Sequence, residues 1–174
     1  NAFLPPEWEL RRSTQVDLWH VEKFYTHSSN GLYIQSLGLG NGESKSGSLA
    51  TKYKNHGFKR NLSLFSLTFR KEPAALIAID QSDIGFNLSN LLNGFKIIIL
   101  DTEAVKWDIL KMVMQNLSRF FDVSDIPALI YPYDYTLTHN CPIEKQYNLW
   151  ILDVAGYGND FLSYMEKHFR IRLD

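Results

Sequence analysis

The chain carries a single cysteine, Cys141, among 174 residues, so no disulfide can form within it. It contains no apolar run near the roughly 18 residues that a membrane-spanning helix needs. The longest candidate, Phe95–Leu100, has the length of a strand. No secretory apolar core is present either, and the expected setting is a reducing cytoplasm. Charge of one sign is also lacking: 18 Lys and Arg against 19 Asp and Glu leave a formal net charge of −1. A general nucleic-acid binder needs an excess of basic side chains to displace counterions from phosphates, and this chain has none. Three local basic groupings remain, at Arg11-Arg12, at Lys52/Lys54/Lys59/Arg60 and at Arg170/Arg172. The first residue is not Met, and Asn1-Ala2 reads as a remnant of tag removal before Phe3. The expectation is one domain over residues 1–174, excised from a longer protein.

Aromatic residues are abundant, with 11 Phe, 9 Tyr and 4 Trp. Rings of this size bury large areas, so the core does not depend on disulfides or metals. The periodicity then gives an order of elements. Glu9–Gln15 reads as a strand, and Asp17–Tyr25 as a helix with Leu18, Val21 and Phe24/Tyr25 at helical spacing and a cap among Thr14, Gln15 and Asp17. Leu32–Leu39 holds a short strand or turn. Gly38–Gly47 has four glycines but lacks the Gly-Lys-Ser/Thr ending of a phosphate loop, which makes it a linker. Ser48–His56 reads as a two-turn helix stopped by Gly57. Arg60–Phe69 alternates apolar and polar residues and is followed by Pro73–Gln81, the pattern of a β-hairpin. After the Asn-rich connector Ser82–Gly94, Phe95–Asp101 reads as an interior strand and Glu103–Phe121 as a long helix capped by Thr102. Ile126–Tyr133 and Tyr147–Val154 read as further strands, and Asp160–Phe169 as a closing helix. The fold class is a mixed α/β domain, a mixed sheet flanked by helices.

That order, with the phrase ELRRSTQVDLWHVEKFY at its start, resembles the general N-acetyltransferase-like (GNAT) fold family. The resemblance implies an acyltransferase moving an acyl group from acetyl-CoA or another acyl-CoA to an amine. It also implies a coenzyme pyrophosphate held by backbone N–H groups in a Gly/Ala-rich turn that opens a helix after the family's fourth strand. Taking Pro73–Gln81 as that strand places the cofactor-binding residues at Gly85, Phe86, Asn87, Leu88 and Ser89, in a cleft where the strand ending at Gln81 diverges from the one starting at Phe95. The family motif is broken there: Gln81 and Gly85 stand four apart, Phe86 and Asn87 replace small residues, and Asp80 and Asp83 would repel phosphates. The alternative is therefore a degenerate, non-catalytic GNAT-like module within a larger bacterial regulatory protein, binding a small molecule or other domains of that chain. A nucleotide sensor of the PilZ type lacks its Arg-x-x-x-Arg spacing here.

No catalytic residue is assigned. His139-Asn140-Cys141 has neither the four ligands of a zinc site nor a Cys-x-x-Cys partner, so no metal is expected. Tyr131, Tyr133 and Tyr135 read as packing at a strand end, and Trp8, Trp19, Trp107 and Trp150 as core or half-buried anchors.

Overall fold

The computed structural model describes residues 3–29, 34, 53–83, 93–132 and 137. The sheet contains β1 (Trp8–Arg12), β2 (Arg60–Phe69), β3 (Glu72–Ser82), β4 (Gly94–Ile99) and β5 (Ala128–Tyr131), in the spatial order of the sequence. The first four pair antiparallel, and β4 pairs β5 parallel. A parallel neighbour needs a crossover, supplied here by α2 (Trp107–Leu117) with a 3-10 turn at Ser118–Phe120. The result is a mixed α/β fold with a mixed sheet flanked by helices.

The hairpin between β2 and β3 forms as the alternation predicts. Its two turn residues, Arg70 and Lys71, both have positive φ, 49° and 72°. This is the backbone of the hairpin turn whose twist matches that of its strands, adopted here without glycine. On β3 every residue from Ala74 to Asp80 is buried, because both faces are covered. On one face Phe65, Leu67, Ile77, Ile79, Ile97 and Ile99 meet Leu110, Val113 and Leu117 of α2. On the other, Leu76 and Ile98 meet Val21 and Tyr25 of α1 (Gln15–Ser29).

Several boundaries move for local reasons. β1 ends at Arg12, not Gln15, because Thr14 and Asp17 bond reciprocally and start α1. Thr14 N donates to Asp17 Oδ2, and Asp17 N donates back to Thr14 Oγ1, the logic of a capping box. Phe24, expected on the apolar stripe, is exposed, while Val21 and Tyr25 carry the packing. The helix expected over Glu103–Phe121 begins only at Trp107. Asp101, expected to end the preceding strand, instead holds the following turn through its side chain. The stop at Gly57 has φ of 78°, as a glycine cap should.

Candidate functional site

The fourth strand is Gly94–Ile99, so the reading of Pro73–Gln81 as fourth strand is corrected: that segment lies in β3. β3 and β4 also do not diverge at Gln81. They pair antiparallel from Ala75 opposite Ile99 to Asp80 opposite Gly94. At the hairpin base Ser82 N donates to Asn93 Oδ1 at 2.8 Å and Asn93 Nδ2 donates to Ser82 O at 2.9 Å. Gly85, Phe86, Asn87, Leu88 and Ser89 themselves lie outside the described residues, as do His139-Asn140-Cys141, Tyr133 and Tyr135.

The position at which the resemblance would seat a pyrophosphate is therefore the turn after β4, Leu100–Lys106. Its backbone groups can be followed almost one by one. Ile99 O accepts from the Tyr25 hydroxyl at 2.8 Å, in a buried bond from α1. Leu100 N and Asp101 N both donate to Ala74 O. Asp101 Oδ1 then accepts from Glu103 N at 3.0 Å and Ala104 N at 2.9 Å, while Val105 N donates to Asp101 O. A carboxylate of the chain thus sits on two N–H groups of this turn, while the first N–H groups of α2, which opens at Trp107, receive no side-chain cap. The turn contains no glycine, and Asp101 and Glu103 bring two negative charges against the one positive charge of Lys106. Residues 101–104 do not fit a coenzyme A pyrophosphate.

At the other end of the sheet, roughly 20 Å away along β4, a cleft of about 970 Å³ opens. It is lined among others by Asn61, Gln81, Asp83, Asn93, Phe121 and Asp122. Many of its polar groups hold the architecture together. Asp83 Oδ2 accepts from Lys59 N, and Gln81 Nε2 donates to Phe120 O.

On the α1 side of the sheet a second polar feature crosses three strands. Asp80 of β3 was expected to repel a ligand, and it is instead enclosed between Arg60 of β2 and Lys96 of β4. Arg60 Nε and Nη2 donate to Asp80 Oδ1 and Oδ2 at 3.1 and 2.8 Å, and Lys96 Nζ donates to Oδ2 at 2.6 Å. Burial alone would raise the Asp80 carboxyl, but the bonds from Arg60 and Lys96 outweigh it and hold it below the usual carboxylate range. The bond to Asp80 raises Arg60 in turn, against its own desolvation. Sequence reading missed this row because its members are 20 and 16 residues apart. Equal parity along the paired strands is the one signal that could have suggested it.

A second ionic group ties β1 to α1. Arg11 Nη1 and Nη2 donate to the two Asp17 oxygens at 2.7 and 2.8 Å. Burial disfavours the Asp17 charge, yet the bonds from Arg11 and Thr14 prevail and keep this carboxyl well below its ordinary range. Among the described residues no group of three or more His, Cys, Asp or Glu could hold a metal ion. No helix of the described residues is long and apolar enough to cross a membrane.

No family model matches the chain, and no curated protein matches it. Among solved structures, it is similar to the crystal structure of a possible acetyltransferase from Clostridium difficile 630. The identity is 16%, the match covers 84% of this chain and 97% of the other, and the TM-score is 0.36.

Proposed function

We propose that this domain is a GNAT-like acyltransferase-fold module that has lost its grip on coenzyme A and works by binding rather than by acyl transfer. The observation that carries this reading is the Asp101 carboxylate bonded to Glu103 N and Ala104 N. A pyrophosphate arriving at this turn would have to displace an internal anion and approach Glu103 as well. Its partner is a small molecule or another domain of a larger regulatory chain, with Gly85–Ser89 proposed among the contacts. The second reading, an active N-acyltransferase using acyl-CoA, draws support from the antiparallel meander followed by a parallel strand.

Titration with acetyl-CoA separates the two by thermal unfolding. A ligand at 100 times its dissociation constant adds about 2.7 kcal/mol, or about 5–11 °C in a domain of this size. The binding-module reading expects no saturable shift. A saturable rise, with amide shift changes centred on residues 101–109, overturns it.

A further inference from the structure

Two cations share one carboxylate in the row across β2, β3 and β4. The side chains of Asp80, Arg60 and Lys96 are only 5%, 14% and 10% exposed, so a net positive charge is buried with them. Arg60 gives Nε and Nη2 to Asp80 and lies 5.7 Å from the centroid of the Tyr53 ring. Lys96 Nζ, an ammonium with three hydrogens, meets Asp80 Oδ2 as its one hydrogen-bond partner among the described residues. No other acidic side chain among them bonds to either cation. A buried charge in excess is strongly unfavourable unless an opposite charge compensates it.

We propose that Arg60 and Lys96 form an anion subsite on the α1 side of the sheet, taking the oxyanion of a small ligand, a phosphate or a carboxylate. Asp80 fixes both cations in place, so little side-chain freedom is lost when the anion arrives. The guanidinium offers a planar fork and the ammonium a point charge, the two kinds of donor that oxyanions take. One further negative charge brings the row to neutrality. The inference goes beyond the binding-module reading and does not depend on the turn after β4.

The test is calorimetric unfolding of the whole domain in inorganic phosphate and in acetate, each against chloride of equal ionic strength. The expected result is a saturable rise in Tm of about 5 °C or more at 100 times the dissociation constant, with phosphate or with acetate. Lys96→Met removes the excess charge and leaves Arg60 and Asp80 as a neutral pair, so the rise should disappear. Lys111→Met, on the exposed face of α2, should keep it. No rise over chloride overturns the proposal, and so does an equal rise in Lys96→Met, which would mean an adventitious ion only. Amide shift mapping of the unmodified domain gives a readout that needs no variant. Perturbations should centre on Tyr53, Arg60 and Lys96, and a centre elsewhere refutes the assignment. Stabilisation by acetyl-CoA that survives Lys96→Met counts against the binding-module reading and leaves this one standing.

Discussion

Asp80→Asn tests the row across β2, β3 and β4 most severely. The substitution keeps the shape of the side chain and removes its charge, leaving Arg60 and Lys96 buried as like charges. One carboxylate oxygen becomes an NH2 group that faces donors, so at least one of the three bonds at 2.6, 2.8 and 3.1 Å is lost and the others weaken. Breaking a buried ion pair by removing one partner costs about 3–5 kcal/mol. At about 2–4 °C per kcal/mol for a domain of this size, Tm should fall by about 6–20 °C. The pH dependence gives a second readout. The Asp80 carboxyl is held below its ordinary value in the folded protein. Its stabilisation is therefore complete above the unfolded value of about 4 and is lost as pH falls through the lower folded value. The difference between the unmodified domain and Asp80→Asn should be constant near neutrality and shrink below about pH 4. Adding Lys96→Met to Asp80→Asn should recover part of the loss, because the two positions are coupled. Calorimetry of the four proteins from acid to neutral pH measures all of this. A loss in Tm under about 2 °C, or a difference that grows in acid, refutes the argument.

Gly94→Ala should break the start of the parallel pair. A Cβ there would stand 2.2 Å from Pro127 O, the carbonyl that accepts from Phe95 N. The expected cost is about 1–3 kcal/mol or more, read by urea unfolding; a cost near zero means that β5 shifts freely. Tyr25→Phe deprives the buried Ile99 carbonyl of its donor. It should cost about 1–3 kcal/mol, with faster hydrogen exchange in β4, and unchanged exchange there would argue that another donor takes over.

Local chemistry made much of this fold legible. The hairpin of β2 and β3, the apolar β4 and the glycine stop at residue 57 follow from alternation, branching and backbone freedom, which act over a few residues. The same holds for the capping exchange of Thr14 and Asp17, three positions apart. The place of the family's turn was less legible: Pro73–Gln81 reads along the chain as the strand before it, and strand pairing makes that segment part of the third strand. Asp101 was read as the end of a strand because its residue type is silent about which amides its side chain will reach.

Periodicities of two and 3.6 residues carry the mixed α/β class, the crossover after β4 and the apolar faces that drive the sheet against its helices, and all of these are readable along the chain. The partners of the polar residues follow from strand pairing and helix packing instead. Register places Asp80 opposite Gly94 and Leu62, and thereby sets Arg60 and Lys96 on its diagonals. The meeting of β4 with α1 brings the Tyr25 hydroxyl to the Ile99 carbonyl. Charges distant along the chain acquire their partners only when strand pairing sets them side by side away from water, and nothing in their own neighbourhoods along the sequence records that.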